Sequence, residues 1–276
     1  MSESLRPVDC QGVRWFEFGH FDRWRQVLAV VSSRGHGVSH AGKATLNLSY
    51  AVGDSPERVA ENRRRLIEAL GIQATRIVCA AQVHGAETAL VDEASAGAGF
   101  LTSTTAIPLV DALATDRPNL FLWLGFADCV PIVIFDPERP AIGIAHAGWR
   151  GTLLDVSRSL VTTMQAAFGS RPAALWAAIG PAIGPCCYEV GRDVETAFRD
   201  RWGNTTDEIF HDLGSGRHLN LWKANRLSLE AAGVLPGHIS LSRACTSCQN
   251  EDFFSHRAQH GEAGRFAVIV GLREGE

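Results

Sequence analysis

Three dense apolar runs lie close together in the middle of the chain, at residues 121–126, 130–135 and 141–145. Each has the length and the branched or aromatic content of a β-strand that is buried on both faces. Polar, reactive residues break this pattern: Asp128 and Cys129 separate the first two runs, and His146 ends the third. Polar groups at the ends of buried strands need partners, and local rules tend to fail at functional sites. The pattern therefore predicts a site at these strand ends.

The flanking sequence predicts further strands and helices that alternate irregularly. Ser55 as N-cap, followed by Pro56, predicts a helix that ends at Gly71. A second helix is expected between Thr152 and Gly169. Other strands are expected at 24–33, 76–81, 173–179, 238–242 and 266–272, and other helices at 193–198 and 222–232. This order favours a mixed-sheet α/β or α+β fold. Without repeats or long linkers, we expect one catalytic domain over 1–276, with 1–23 as an N-terminal extension.

Composition and charge narrow the possible partners. The chain is 46% hydrophobic and carries a net charge of −4, which gives no support to a nucleic-acid or anionic-membrane partner. No apolar run approaches the roughly 20 residues that span a bilayer, and the first residues do not read as a secretory signal. We therefore expect a cytoplasmic protein whose seven cysteines are free thiols, available to metal or to chemistry.

His84, Cys129 and His146 stand at predicted strand ends and form a candidate metal site. Two imidazoles and one thiolate are a ligand set of catalytic Zn²⁺, which keeps its fourth position open. Asp128 or Gln82 could orient a ligand ring or a bound water. Two alternatives stay open. The three residues could be satisfied core or rim residues, or Cys129 and His146 could be the nucleophile and base of a cysteine hydrolase.

Two cationic features are candidates for binding an anion. The Gly-rich turn 148–152 offers backbone N–H groups and Arg150, unless it is an ordinary strand-to-helix turn capped by Thr152. Arg63 falls on the apolar stripe of the first predicted helix. A charge there needs an anionic ligand or a carboxylate, for which Asp111 and Asp128 are the alternatives.

The remaining cysteines give a weaker pattern. Cys245 and Cys248 have the C-x-x-C spacing of a redox pair or of half a zinc site, but nothing like a thioredoxin unit surrounds them. The adjacent Cys186 and Cys187 make a poor second half for a tetrahedral cage, so we interpret these four as non-ligands. The aromatic–basic segment 253–257 could stack on a planar ring or fill the core.

Several longer motifs occur in order along the chain: RGHGVS, TLNLS, GDSPERVAENRRRL, QVHG, ADCVPIVIFDP, HAGWRGT, IGPAIGPCCYEVG and FFSHR. With them, residues 34–272 resemble the YfiH-type purine nucleoside phosphorylase family, whose older label is multicopper polyphenol oxidase or laccase domain. The resemblance implies a single-domain mixed α/β sandwich with helices packed on the sheets. It also implies a zinc enzyme that splits adenosine, inosine, guanosine or methylthioadenosine with phosphate into base and pentose 1-phosphate. Adenosine deamination at the same site is a second implied activity.

Motif matching assigns roles to individual residues. The resemblance implies that His84, Cys129 and His146 are the zinc ligands and that Asn47 and Arg63 line the nucleoside or phosphate pocket. We add Arg63 and Arg150 as groups that neutralise phosphate, and Asp128 as a proton handler. The His-x-Glu and Pro-Cys-x-x-Cys motifs of base deaminases are absent, so deamination would need Asp128, Glu87 or Glu189 instead.

Copper chemistry and non-catalytic roles are further alternatives. Ten histidines without a His-x-His pair do not supply a multicopper centre, although Cu²⁺ could occupy the single His₂Cys set. Some members of the resembled family are linked to editing of peptidoglycan precursors. A non-catalytic zinc module would use four protein ligands, and only three are visible in this pattern.

Overall fold

The structure is a computed structural model that describes residues 5–214 and 216–274. Its strands are β1 (Leu5–Cys10), β2 (Val13–Phe18), β3 (Val27–Ser32), β4 (Ile77–Cys79), β5 (Thr88–Leu90), β6 (Ala112–Thr115), β7 (Phe121–Phe126), β8 (Val130–Asp136), β9 (Ala141–Ala147), β10 (Trp176–Ile179), β11 (Phe210–Asp212), β12 (Arg217–Leu219), β13 (Ile239–Leu241) and β14 (Phe266–Leu272). Its helices are α1 (Pro56–Leu70), α2 (Trp149–Leu153), α3 (Val156–Phe168), α4 (Arg192–Trp202), α5 (Thr206–Ile209) and α6 (Leu221–Ala231).

Two mixed sheets form the centre of the described chain. The first has the order β1-β2-β3-β14-β7-β4 and is antiparallel except where β4 runs parallel to β7. The second has the order β13-β10-β8-β9-β6-β5, with parallel pairs at β10–β13 and β5–β6. A separate hairpin joins β11 to β12. The prediction of a mixed-sheet fold is confirmed.

The two sheets pack face to face and are covered by helices on their outer faces. Phe126 and Val268 of the first sheet share one apolar core with Phe135 and Ile144 of the second. Helix α1 covers the outer face of the first sheet through residues such as Leu66. Helices α3 and α6 cover the outer face of the second sheet. The result is a helix–sheet–sheet–helix sandwich, as the resemblance implied.

The three central apolar runs become β7, β8 and β9. Strand β7 has the predicted bounds, and β8 and β9 are each extended by one or two residues. The expectation that His146 ends its strand is wrong, because Val130 still pairs with Ala147 beyond it. Since β8 and β9 form an antiparallel hairpin, the start of β8 lies beside the end of β9. This topology brings Cys129 next to His146.

Helix α1 follows its predicted capping signals, whereas the helix predicted after Thr152 differs. The Ser55 side chain accepts a hydrogen bond from the N–H of Arg58, and Gly71 ends α1 with φ +65°. The second predicted helix is two helices, and Gly148 rather than Thr152 caps α2. The break occurs at Asp155, which has φ +69° and caps α3 through its side chain. A short carboxylate that binds nearby backbone N–H groups competes with a continuous helix.

The N-terminal segment takes part in the first sheet. Residues 5–18 of the predicted extension 1–23 form β1 and β2, and β1 is an edge strand. The apolar inward residues Phe16 and Phe18 enter the core between the sheets. Within the described residues, no helix has both the length and the apolar character needed to cross a membrane.

Candidate metal centre

His84, Cys129 and His146 converge at one end of the sandwich. His84 lies in the loop after β4, Cys129 precedes β8, and His146 lies in β9. One ligand atom from each residue lies within 4.8 Å of the other two. The two imidazole rings meet edge to face, with centroids 4.9 Å apart. This spacing suits three ligands of one tetrahedral ion.

The local backbone is shaped to bring these side chains together. His84 has φ +62°, and Asp128, immediately before the thiol, has φ +83°. Such left-handed conformations are uncommon outside glycine and occur where surrounding contacts enforce them. Gly148 allows a close approach, because a Cβ there would lie 2.9 Å from Sγ of Cys129 and 3.3 Å from the His84 ring. The glycine of this turn therefore leaves room for the ligands.

Asp111 fixes the orientation of two of the three ligands. Its Oδ1 lies 2.8 Å from Nδ1 of His146, which leaves Nε2 of that ring for a metal. The same carboxylate accepts hydrogen bonds from the backbone N–H groups of Val83, His84 and Gly85 at 2.7–3.0 Å. A carboxylate behind a ligating histidine is a common feature of metal sites. Sequence reasoning gave this role to Asp128 or Gln82 and did not assign it to Asp111.

Electrostatic interactions among Cys129, His146 and Asp111 favour the charged form of each group. Burial would raise the pKa of Cys129, but the neighbouring imidazoles of His146 and His84 outweigh it and lower the pKa to about 6. Burial would lower the pKa of His146, whereas the Cys129 thiolate and Asp111 raise it to about 9. Asp111 itself has a lowered pKa, because its hydrogen bonds overcome the effect of burial. A thiolate at neutral pH is what both a metal ligand and a cysteine nucleophile require.

The three candidate ligands line a cavity of about 750 Å³. A cavity of this size is in the range that binds small ligands. Its wall also contains Arg63, Asp128 and Tyr188. Aromatic and aliphatic side chains complete the lining, including Tyr50 and Trp123 of strand β7.

Arg63 reaches this cavity from α1 as a buried cation. Its Nε donates to the carbonyl of Leu48 at 2.8 Å, and its Nη1 donates to the carbonyls of Gly99 and Phe100. Its guanidinium lies over the ring of Tyr50, 4.5 Å from the centroid. The alternative of a salt bridge to Asp111 or Asp128 is wrong, since among the described residues no carboxylate pairs with Arg63. Burial lowers the pKa of Arg63, whose contacts in the described part of the chain include carbonyls and an aromatic ring but no carboxylate.

Other predicted site residues are placed differently. Asp128 lines the cavity, but its Oδ1 accepts from the Thr246 hydroxyl at 2.6 Å and its Oδ2 from the Arg257 N–H at 2.7 Å. The Gln82 amide bonds the backbone of Gly125 in both directions at 3.0 Å. It therefore holds strand β7 and has no role in orienting a ligand ring. Asn47 is fully buried and is not part of the cavity wall.

Asn47 and Arg150 lie outside the cavity for different reasons. The Asn47 side chain donates to Asp54 and accepts from the backbone N–H of Arg265, so it joins two loops behind the wall. Arg150 is exposed, and its guanidinium lies 4.2 Å from the Trp149 ring centroid. In the same turn, Gly151 packs against the carbonyls of Gly85 and His146.

Two further arginines, Arg257 and Arg265, line the cavity, although the sequence did not predict that either would bind an anion. Arg265 follows the loop before β14 and donates to the carbonyls of Ala263 and Gly264, and burial lowers its pKa. Arg257 belongs to the aromatic–basic segment 253–257, whose residues have two different roles. Phe253 and Phe254 fill the core, while His256 and Arg257 face the cavity. The expectation that the segment fills the core is confirmed for the two phenylalanines, and stacking on a planar ring stays a prediction.

The four remaining cysteines also lie together, which removes the geometric reason for interpreting them as non-ligands. Sγ atoms of Cys186, Cys187, Cys245 and Cys248 lie within 4.8 Å of one another. The parallel bridge between Ala182 and Cys245 aligns their two loops. Adjacency of Cys186 and Cys187 is no obstacle, since a tight turn closed by the N–H of Cys187 on the carbonyl of Gly184 directs both thiols to one side.

Comparison with known proteins identifies the class of protein that this fold and site define. The sequence profile of the family described as multi-copper polyphenol oxidoreductase laccase matches residues 28–273, so the chain belongs to that family. Within the family, the chain is 41% identical over 248 residues to purine nucleoside phosphorylase YlmD of Geobacillus stearothermophilus, with 90% of each protein covered. The resemblance inferred from the motifs is confirmed.

Two other relatives extend this picture. The crystal structure of hypothetical protein YfiH of Bacillus licheniformis matches with a TM-score of 0.92 and 36% identity, over 98% of this chain and 100% of that one. Adenosine deaminase RL5 of an unknown prokaryotic organism is 33% identical, over 87% of this chain and 91% of that protein. Two of these relatives are thus named as enzymes of nucleosides, although the family description names copper. The ligand groups found in the described residues are one His₂Cys set and one Cys₄ set, and neither has the histidines of a multicopper centre.

Proposed function

We propose that this protein is a zinc-dependent purine nucleoside phosphorylase. It cleaves adenosine, inosine, guanosine or methylthioadenosine with phosphate to give the base and pentose 1-phosphate. The names of its relatives support the reaction class. One observation supports phosphate as a substrate: Arg63, Arg257 and Arg265 line the same cavity as the His₂Cys group, and none has a carboxylate partner in the described part of the chain.

The metal proposal rests on the donor set. Two imidazoles and a thiolate, oriented by Asp111 and opening on a cavity, fit Zn²⁺ with three protein ligands. Bound Zn²⁺ supplies Lewis-acid stabilisation of negative charge on the substrate. All seven cysteines are free, and a reducing compartment keeps them so, in agreement with a cytoplasmic enzyme.

The arginines are proposed to bind phosphate and to stabilise its charge. Arg63 is buried and Arg265 is partly buried, so an anionic ligand would relieve the unfavourable burial of their charge. Arg257 is exposed and adds positive charge at the cavity edge. Arg63 is held by three carbonyl bonds and so presents its charge in one orientation. Such preorganised charge acts on the transition state without reorganisation.

The nucleoside is proposed to lie along the aromatic side of the cavity, near Tyr50 and Trp123. Planar rings there offer stacking to a purine base. Asp128 receives a narrower role than that of a proton handler. Both of its oxygens already accept hydrogen bonds, so it holds the buried Thr246 hydroxyl and the backbone of Arg257, which lines the cavity.

The test is product analysis with protein of known zinc content. Adenosine with phosphate should give adenine and ribose 1-phosphate, and omission of phosphate should abolish both products. Formation of neither product by zinc-loaded protein would overturn the proposal. Retention of full phosphorolysis after zinc is removed would contradict zinc dependence. Formation of adenine and free ribose without phosphate or zinc would instead support the cysteine-hydrolase alternative, in which Cys129 acts as nucleophile.

Adenosine deamination is a second candidate, favoured by the relative named adenosine deaminase. Of the three carboxylates considered for proton transfer, Asp128 alone lines this cavity within the described residues, and Glu87 and Glu189 do not. Deamination predicts inosine at a rate that phosphate does not change. It also predicts that Asp128→Asn abolishes inosine formation, whereas phosphorolysis should survive that change in part.

A further inference from the structure

We propose that Cys186, Cys187, Cys245 and Cys248 form a second metal site, a four-thiolate site for Zn²⁺ that is separate from the His₂Cys centre. Its role is structural: it joins the loop after β10 to the loop after β13. These two loops supply one wall of the cavity. This proposal holds whichever reaction the His₂Cys centre catalyses.

The geometry of the four sulfur atoms fits a single ion. Cys186 and Cys248 have their Sγ atoms 3.7 Å apart, and Cys187 and Cys248 have theirs 3.5 Å apart. A Zn–S bond of about 2.3 Å makes the edge of a regular tetrahedron about 3.8 Å. The observed separations are close to that edge and well beyond the S–S bond of about 2 Å in a disulfide. Four soft ligands within such a distance are typical of a closed structural zinc site.

Two contacts place hydrogen-bond donors or positive charge near the sulfurs. The backbone N–H of Gly184 donates to Sγ of Cys245 at 3.2 Å, a bond that favours the charged sulfur. Arg257 donates to the carbonyl of Cys187 at 3.2 Å, which brings a guanidinium close to the cluster. On binding Zn²⁺, thiols lose their protons to solvent, so the cation replaces protons that would otherwise keep four crowded sulfurs neutral.

Contacts between the two loops explain what such an ion would hold in place. Arg257 also donates to the carbonyl of Glu189 at 3.0 Å, and the backbone N–H of Thr246 donates to the carbonyl of Ala182 at 3.1 Å. Arg257 and Tyr188 both line the cavity, and the hydrogen bond from Arg257 to Glu189 lies next to Tyr188 in the chain. Loss of the ion should therefore loosen the cavity wall and weaken substrate binding more than it slows the bound substrate.

The first test counts zinc in protein purified with a thiol reductant. Wild-type protein should hold two zinc ions per chain, Cys129→Ser should hold one, and Cys186→Ser/Cys248→Ser should also hold one. Cys10→Ser, which changes a cysteine outside both groups, should keep two. A wild-type content of one that falls to zero in Cys129→Ser would overturn the proposal.

A second test does not depend on the double variant folding. Cys129→Ser loaded with Co²⁺ should show the visible bands of a tetrahedral ion and strong sulfur-to-cobalt charge transfer. Intact mass under non-reducing conditions should show four free thiols in the Cys₄ group of zinc-loaded wild type. The absence of charge transfer in folded Cys129→Ser, or a disulfide between Cys187 and Cys248 in reduced, zinc-supplied protein, would overturn the site.

Discussion

Two groups of soft ligands lie near the same cavity, and they differ in three respects. The first group mixes two imidazoles with Cys129, offers three ligands, and opens on the cavity. The second is made of thiols alone, offers four ligands, and faces away from the cavity lining. Zinc that has a fourth protein ligand is closed to substrate, whereas zinc with three is open. The number of protein ligands and the access of substrate to the metal therefore distinguish a centre that can catalyse a reaction from one that holds loops together. The identity of the ligands matters less.

Removing the open centre should have the largest effect on turnover. Cys129→Ser should lower kcat for adenosine phosphorolysis by at least about 100-fold, because a metal contributes several kcal/mol of charge stabilisation. The measurement is the initial rate of adenine formation at saturating phosphate. Cys10→Ser is the matched control and should keep wild-type kcat. If Cys10→Ser lost as much activity as Cys129→Ser, the loss in Cys129→Ser could not be attributed to a metal ligand.

Disturbing the carboxylate behind His146 should have the next largest effect. Asp111→Asn keeps the shape but weakens the hold on the ring, so zinc affinity should fall by about 10- to 100-fold. A chelator competition measures the affinity, and excess zinc should restore much of the activity. Asp116→Asn changes an exposed carboxylate nearby and serves as control. If Asp111→Asn binds zinc as tightly as wild type, the orientation argument fails.

Changing Arg63, the buried cation, should test whether phosphate binds in the cavity beside the His₂Cys centre. Arg63→Lys loses the planar group that bonds three carbonyls, and the KM for phosphate should rise by roughly 10-fold, the value of one charge-assisted hydrogen bond. The KM for adenosine should change less. The neighbouring Arg64→Lys alters an exposed residue paired with Glu61 and Glu68 and should change neither constant. A rise in the adenosine KM alone would assign Arg63 to the nucleoside instead.

Crowding the open centre should have the smallest effect of the series. Gly148→Ala introduces a methyl group 2.9 Å from the Cys129 sulfur, and the neighbouring atoms must shift. Zinc affinity should fall by about 3- to 10-fold, which corresponds to an overpacking penalty of about 1 kcal/mol. Gly237→Ala, where the added methyl meets nothing within 4 Å, is the control. Unchanged affinity in Gly148→Ala would mean that the turn leaves more room than the distances indicate.

Reactivity of the open thiol separates the metal site from a cysteine nucleophile. The pKa of Cys129 is about 6, so its thiolate fraction in metal-free protein is large above that pH and falls as the pH drops through it. Iodoacetamide should therefore modify metal-free Cys129 at neutral pH faster than Cys10, and zinc should protect it. Peptide mass mapping measures both rates. Modification that zinc does not slow would argue against Cys129 as a ligand.

The sequence could predict those parts of the fold that are specified locally. Strands β7, β8 and β9 are continuous apolar runs, and α1 carries its own capping residues, so both follow from short stretches of chain. Strand β6 is only four residues long, and the N-terminal strand β1 contains a proline and alternating exposed positions. Such short or edge strands form because the rest of the sheet supplies their partners.

The same reasoning applies to the two ligand groups. The His₂Cys group could be found because each member interrupts or ends an apolar run. Asp111 could not be assigned to His146, because nothing in the sequence shows that β6 pairs with β9. The four cysteines meet because β10 runs parallel to β13 and the bridge at Ala182 follows it. That pairing joins distant parts of the chain, so the C-x-x-C spacing of Cys245 and Cys248 does not show that Cys186 and Cys187 lie beside them.

The most direct test of the account is the dependence of turnover on zinc in the Cys186→Ser/Cys248→Ser protein, in which only the open centre can be loaded. Protein stripped by a chelator is titrated with zinc while adenine formation is followed at saturating adenosine and phosphate, so that weaker substrate binding in this variant does not hide turnover. We predict no turnover without zinc and a linear rise that stops at one zinc per chain. Turnover in the zinc-free protein, or none at one bound zinc, would contradict the claim that the His84–Cys129–His146 centre carries out the reaction.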